Sequence, residues 1–262
     1  MWHKNFIRVM YMIKMIVTDL DDTLLNDKQK VSSYSCSIIK RVQKKGILFV
    51  IATARSFPAA AVSIKSINPD WCIYNNGALT MTKTSKKVAV PIAATIANKF
   101  LHELIKDINV KTIKVSTTKN EYASKPGIIK NDISYKYADF NFELDEEVYK
   151  IMVKTVIGFV PQIYANKYNL KYYLMKDQET YVYINKYVDK MKAIQMISAQ
   201  EQVSIEQIVS FGDDINDIKM IENCGVGVAV KNAIPRLFSV ATEVCGSNKE
   251  DGVAHWIEDN VL

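Results

Sequence analysis

"MIVTDLDDTLLND", residues Met15–Asp27, is the stretch whose reading decides the fold. A short, apolar, β-branched run over residues 13–19 has the character of a buried strand. It ends in acids: Asp19, Asp21 and Asp22 fall within four positions, and Asp27 follows. Carboxylates that close repel one another, so the stretch is either a solvated turn or a place built to receive something positive. One Asp-x-Asp after a strand is most often only a turn or a cap. A second acidic cluster, "GDDIND" at residues 212–217, stands behind another apolar run, "QIVSF", and weakens that bland reading.

The neighbouring segments supply the frame. Residues 31–45 carry apolar positions at helical spacing and stop at Gly46. "ILFVIA", over 47–52, reads as a second apolar strand. "FPAAAVSIKSI", residues 57–67, reads as a helix with Pro58 in its first turn. "WCIYNNGAL", residues 71–79, reads as a third strand running into an Asn-Gly turn. Strands that are apolar throughout and alternate with helices predict a parallel sheet covered on both faces.

The rhythm changes after about residue 82. A helix is expected over 91–107, and "VKTIKVSTT" alternates as a strand with one wet face does. A second helix is expected near 145–157, followed by strand-like "PQIYA", "LKYYLM" and "TYVYIN". Residues 83–185 are therefore read as an inserted α+β domain. From 189 the first style returns, with a helix in "DKMKAIQMISAQEQ", a strand in "QIVSFGDD", a helix in "INDIKMIENCG" closed by Gly225, and a strand in "GVGVAV". "NAIPRLFSVA" reads as a helix with Asn232 as its N-cap.

Composition narrows the function classes. The 262 residues are 48% hydrophobic and 24% charged, an ordinary globular balance that can bury a real core. The net charge of +6 does not point to nucleic acid. The only arginines are Arg8, Arg41, Arg55 and Arg236, and the lysines are scattered among acids rather than gathered on one face. Cys36, Cys72, Cys224 and Cys245 form no CxxC pair, which fits reduced thiols in a cytoplasmic protein better than a disulfide framework. Arg8 and Lys14 interrupt the apolar N-terminus, and no small-residue cleavage site follows it. The first residues are read as a loose extension, with Met10, Met12 and Met15 as alternative starts. No stretch approaches the ~20 apolar residues of a membrane span. His3, His102 and His255 share no motif and are read as surface or structural residues. The tyrosines of "YKYADF" and "KYYLM" are read as sheet residues, and none is named as a binder.

The acids gain meaning from where parallel sheets bind ligands, beyond the carboxyl ends of the strands. If the strands before Asp19 and Asp213 are neighbours, their carboxylates converge and call for a cation. A few hard oxygen donors with water and a phosphate oxygen describe a magnesium site. Asp19 and Asp21, two apart on an extended chain, would point the same way, one to attack and one to move protons. Thr53 follows a strand, where a hydroxyl and backbone N–H groups can hold a phosphoryl oxygen. Lys190 opens a helix, a poor place for a lysine unless an anion is near. Asp217 is placed to orient that lysine.

"DLDDT" (19–23), "ATAR" (52–55), "DK" (189–190) and "GDDIND" (212–217) resemble, in order, the four motifs of the haloacid dehalogenase superfamily. The insert between the second and third resembles the cap of its Cof-type sugar-phosphatase branch, as do "NNGA" (75–78), "NA" (232–233) and "NKEDGVA" (248–254). The resemblance covers residues 12–262. It implies an α/β fold with a Rossmann-like, doubly wound core over 1–82 and 186–262, and an α+β cap over 83–185. It implies a magnesium-dependent phosphatase of small phosphorylated metabolites, sugar phosphates or similar monoesters, working through an aspartyl phosphate. Asp19 would be the nucleophile and a metal ligand, and Asp21 the general acid and base whose backbone carbonyl also binds metal. Asp213 would complete the metal set. Thr53, Lys190 and Asn216 would hold the phosphoryl group, with Ala54, Arg55 and Asp217 in support. Ala54, Met191 and Lys231 stand where the family usually has glycine, and none removes a catalytic group. Asp21 argues against a dehalogenase, since those members lack that acid. The alternatives are a phosphomannomutase-like phosphotransferase and a non-catalytic phosphate-sensing module. No nucleic-acid or membrane partner is expected; substrate identity and oligomeric state are left open.

Overall fold

The computed structural model describes residues 12–130, 133–175 and 177–262. His3 and the alternative start Met10 lie outside the described residues. The chain forms two compact units, one of the N-terminal stretch up to Ile51 together with Ile194–Leu262, the other of Ala52–Ala193. The boundaries expected near residues 82 and 186 both fall inside the second unit.

The first unit is built on parallel strands in the order Glu243–Cys245, Val226–Val230, Ile208–Gly212, Met15–Thr18 and Leu48–Ala52. The middle strands are buried along their length, which is why their sequences are unbroken apolar runs rather than alternating ones. Helix Ser33–Lys44 packs with helix Gly252–Val261, and helix Ile218–Asn223 packs on the two strands it connects. Ser32 caps the first of these helices by accepting from Ser35 N–H (2.9 Å), and Gly46 follows its end at φ +75°. The chain leaves Met15–Thr18 to one side and returns through Ile208–Gly212 to build outward on the other. The strand order therefore reverses between these two neighbours, which makes the gap at their carboxyl ends a topological switch point.

The second unit holds an antiparallel hairpin, Trp71–Tyr74 with Leu79–Thr82, extended by Lys87–Ala89. It also holds a six-stranded sheet in the order Lys136–Tyr137, Glu121–Ala123, Val110–Thr117, Val148–Thr155, Thr180–Asn185 and Leu170–Leu174. Neighbours in that sheet are antiparallel except Lys136–Tyr137 with Glu121–Ala123. Helices Ala94–Leu104 and Pro161–Tyr168 bring Phe100, Leu101, Leu104, Ala165 and Tyr168 into one core with Ile113, Val115, Ile151, Val153 and Tyr183 of the sheet. Phe100 is fully buried, and its ring meets Tyr183 edge to face at 4.8 Å between centroids.

Two expected elements are exchanged in this unit. The helix expected over 145–157 is the strand Val148–Thr155. Its apolar residues satisfy a helical period as well as an alternating one, but it is paired on both sides, and its β-branched Val148, Ile151, Val153 and Thr155 suit that place. The strand expected at "PQIYA" is the helix Pro161–Tyr168. Pro161 sits in its first turn and Asn169 ends it at φ 56°, both ordinary helix boundaries. Among the described residues, no helix is long and apolar enough to cross a membrane.

Burial pushes the Cys72 and Cys224 thiols up to about 11 and Cys245 up to about 12, whereas Cys36 is only half-buried on its helix. Thiolates are the reactive form. An aromatic disulfide reagent at pH 8 is therefore expected to label Cys36 alone in the native protein and the other three only after denaturation. Mass mapping of the labelled peptides checks this; rapid native labelling of Cys72 or Cys245 would contradict the burial described.

Candidate active site

Asp19 and Asp213 stand at the switch point. Thr18 pairs in register with Phe211, and Asp19 N–H donates to Phe211 O at 3.0 Å, so one acid leaves its strand beside the other. Asp19, Asp213 and Asp217 are all buried, and one carboxylate oxygen from each lies within 4.8 Å of the others. Three hard, anionic oxygens gathered out of water fit a small divalent cation such as Mg2+. The fit of the residues is to that class of ion; soft ligands, such as thiolates, are not part of the cluster.

The sequence placed Asp19 and Asp21 on one extended chain. The structure turns the chain there instead. Leu20–Leu24 form one wide turn closed by Leu25 N–H on Leu20 O (2.8 Å), with Asp21 extended (φ −69°, ψ 130°) and Asp22 left-handed (φ 56°). Leu20 is fully buried, as expected of the residue between the two acids, while Asp21 is half-buried.

Several groups hold this turn. Thr23 donates its hydroxyl hydrogen to Asp213 Oδ1 at 2.8 Å and so ties the turn to a carboxylate of the buried cluster. Asn232 is not the N-cap expected of it, since the helix begins only at Pro235. Its amide donates to Asp22 O (2.7 Å) and accepts from Asn248 N–H (3.0 Å), and Asn248 in turn donates to Leu25 O (2.9 Å). Two loops from the far end of the chain thus carry the carbonyls of the irregular turn, which has lost its regular partners.

The second acidic segment is held by its own residues. Asp217 Oδ2 accepts from the backbone N–H of Asp213 and of Asp214, each at 3.1 Å, and Asp213 O accepts from Ile234 N–H at 2.9 Å. Gly212 is required for this: a Cβ there would lie 2.5 Å from Asp217 Cβ. Asn216, the candidate phosphate contact beside it, is half-buried.

The other candidates lie in the second unit. Thr53 is fully buried; its hydroxyl accepts from Arg55 N–H (3.0 Å), leaving its own hydrogen to be donated onward. Thr53 N–H bonds to Ile73 O, Asn76 N–H to Thr53 O, and Asn75 N–H to Arg55 O, so residues 53–55 are fastened to the hairpin. Ala54 is half-buried between them. The Arg55 guanidinium reaches Ser63 Oγ (3.0 Å) and Ala59 O (3.4 Å) on the following helix, which gives it a structural task. Lys190 opens helix Lys190–Glu201 and is 2% exposed. Asp189 caps that helix start by accepting from Met191 N–H at 2.9 Å. Gly77, at φ +107°, lies so close to Asp189 O that a Cβ would come within 2.7 Å.

Sequence reasoning had no role for Thr23, Asn232 or Asn248 in this site. Each lay in a motif already noticed, but their partners are 190, 210 and 223 positions away in the chain, and spacing carries no sign of such contacts.

The chain matches the haloacid dehalogenase-like hydrolase family over residues 16–257 and belongs to it. It is similar over most of its length to two proteins of Bacillus subtilis. One is a 5-amino-6-(5-phospho-D-ribitylamino)uracil phosphatase, 25% identical over 94% of this chain and 96% of that one. The other is a phosphatase 25% identical over 94% and 99%. Two solved structures share the fold. A haloacid dehalogenase-like hydrolase from Bacteroides thetaiotaomicron has a TM-score of 0.84 at 20% identity, over 94% of this chain and 99% of that one. A protein from Thermotoga maritima has a TM-score of 0.83 at 23% identity, over 95% and 97%.

A cation that binds only the folded carboxylate cluster must stabilise the fold by mass action, by roughly 2.7 kcal/mol at a hundredfold excess over Kd. Thermal melts in rising MgCl2 are expected to show an increasing Tm that levels off, and Asp213→Asn is expected to flatten that response. A Tm that ignores Mg2+ in the parent protein would count against the cluster as a metal site.

Proposed function

We propose that this hydrolase is a Mg2+-dependent phosphatase of small phosphorylated metabolites, working through an aspartyl phosphate on Asp19. Phosphatase chemistry is what the family membership and the full-length relatives support. The single observation that carries the metal-dependent form of the reaction is the buried Asp19, Asp213 and Asp217 cluster at the switch point.

In this reading the Asp19 carboxylate attacks the phosphorus of a bound monoester, forming the aspartyl phosphate as the bond to the ester oxygen breaks. Asp21 gives a proton to the departing alkoxide. The Asp21 carboxylate then takes a proton from water, which attacks the phosphorus, releases inorganic phosphate and regenerates Asp19. The Thr53 hydroxyl, the Lys190 ammonium and the Asn216 amide hold phosphoryl oxygens on which charge builds in both transition states. A magnesium ion held by Asp19, the Asp21 carbonyl and Asp213, with Asp217 beside them, would neutralise the carboxylates and draw charge from the phosphoryl group. Thr23, Asn232 and Asn248 act through the turn, keeping the two catalytic acids on a fixed backbone. The Bacillus subtilis relative is named for an ester whose phosphate sits on a ribityl chain, which favours sugar and polyol phosphates as the substrate class.

Phosphate release is expected to require Mg2+ and to stop with a chelator. Asp19→Asn should lower it by on the order of 10³-fold or more while the protein stays folded. Asp21→Asn should slow alkyl phosphates by about 10²–10⁴-fold. It should slow the first step of p-nitrophenyl phosphate far less, because that phenolate leaves without a proton. Turnover that survives Asp19→Asn would overturn the nucleophile assignment. Transfer to a sugar hydroxyl without net phosphate release would make the protein a phosphotransferase.

A further inference from the structure

The six-stranded sheet has two unlike faces. Ile113, Val115, Ile151, Val153 and Tyr183 point to the helices and are buried in their core. The alternate positions, Lys114, Ser116, Glu121, Lys150, Met152 and Tyr173, occupy the opposite face, as the strand registers require. That face mixes apolar Ala123, Met152, Val182 and Ile184 with polar groups, and some of the polar groups are out of water: Ser116 is fully buried, Glu121 is 4% exposed and Lys150 7% exposed. Its contacts run to the segments that carry the candidate phosphate site. Lys150 Nζ donates to Ala54 O at 2.9 Å, one residue beyond Thr53. Tyr173 Oη accepts from Asn76 Nδ2 at 2.9 Å, and Asn76 N–H is bonded to Thr53 O.

Glu121 is the anomaly on this face. Its Oε2 accepts from Ser116 Oγ at 2.7 Å, but its Oε1 is buried and has no hydrogen-bond partner. Burial pushes the carboxyl above the usual glutamate range, against the opposing pull of Lys150 and of the Ser56 and Ser116 hydroxyls. A buried acceptor left unmatched is costly in any fold and calls for a reason. A glutamine or leucine would fill the same space without burying a charge. Of its neighbours, Ser56 follows Arg55 in the chain and Lys150 donates to Ala54 O, so the unmatched oxygen lies near the segment that carries the candidate phosphate-binding Thr53.

Resting on the phosphatase reading above, we propose that Glu121 is a specificity-determining residue. Its Oε1 accepts a hydrogen bond from a hydroxyl on the alcohol part of the phosphate ester held at Thr53. The preferred substrates are then hydroxylated esters of the sugar or polyol kind, and simple alkyl or aryl phosphates lack the group that completes the site. A site built to accept from a hydroxyl discriminates strongly against the analogue without one, because the buried acceptor is again left unmatched.

The test compares glycerol 3-phosphate with propyl phosphate, which lacks its hydroxyls, and with p-nitrophenyl phosphate. Glu121→Leu is expected to lower kcat/KM for glycerol 3-phosphate by about 10–100-fold and to leave propyl and p-nitrophenyl phosphate within a few-fold. Glu121→Gln, which keeps an acceptor oxygen and the same shape, is expected to retain much of the selectivity and serves if the leucine variant folds poorly. A merely structural role would change Tm and all three rates together, so an equal loss on every ester, or no change in their ratio, overturns the proposal. Calorimetric Kd values for the glycerol and propyl esters with both variants read the same ratio without turnover. If no ester is hydrolysed, the phosphatase reading fails while the ratio of Kd values still decides the role of Glu121.

Discussion

Three carboxyl side chains held out of water at one point are the constraint around which the loops of the first unit are arranged. At about 5 Å and an effective dielectric near 20, each pair of unit charges repels by roughly 3 kcal/mol. Asp19, Asp213 and Asp217 come within that range, and the backbone around them is arranged to keep them there. Gly212 lets Asp217 pack against the strand end, Asp217 takes two backbone N–H groups, and Thr23 spans from the first acidic turn to Asp213. These contacts hold the three carboxyl groups in one buried cluster, the arrangement that the proposed metal-dependent reaction would use.

The irregular turn after Met15–Thr18 shows the same economy at the level of the backbone. A strand that simply continued would present its acids along a ladder edge. The wide turn over Leu20–Leu24 lifts Asp21 into a different setting from Asp19, buries Leu20 and leaves carbonyls that a regular element would have satisfied. Asn232 and Asn248 take those carbonyls. Two carboxylates two residues apart then meet unlike surroundings, one buried and one half-buried, which is the condition for giving them unlike chemical tasks.

The second unit separates an apolar core from a more polar face by the alternation of a β-strand. One face of its six-stranded sheet supplies an aromatic and aliphatic core under two helices, and the other carries the charged and hydroxyl groups. Because successive side chains point to opposite faces, the second face can vary without disturbing the first. The tyrosines illustrate it: Tyr172 packs toward the core while Tyr173, its neighbour, bonds to Asn76 beside the Thr53 segment.

The sequence by itself determined the parallel core and the places of its acids. Unbroken apolar strands, glycine and proline at helix ends and carboxylates just past two strands are all local patterns, and local patterns survive in a linear reading. It misjudged 145–157 and "PQIYA", where helical and alternating periods both fit, because only pairing on two sides made Val148–Thr155 a strand. It gave Asn232 a local task, the cap of a helix, when its real partners lie at Asp22 and Asn248. Which carboxylates meet, which oxygen of Glu121 goes unmatched and which polar groups of the second sheet are out of water were decided by tertiary structure alone. The physical reason is that burial and hydrogen bonding are properties of the neighbours a residue acquires, and the neighbours of the acidic turn come from up to 223 positions away.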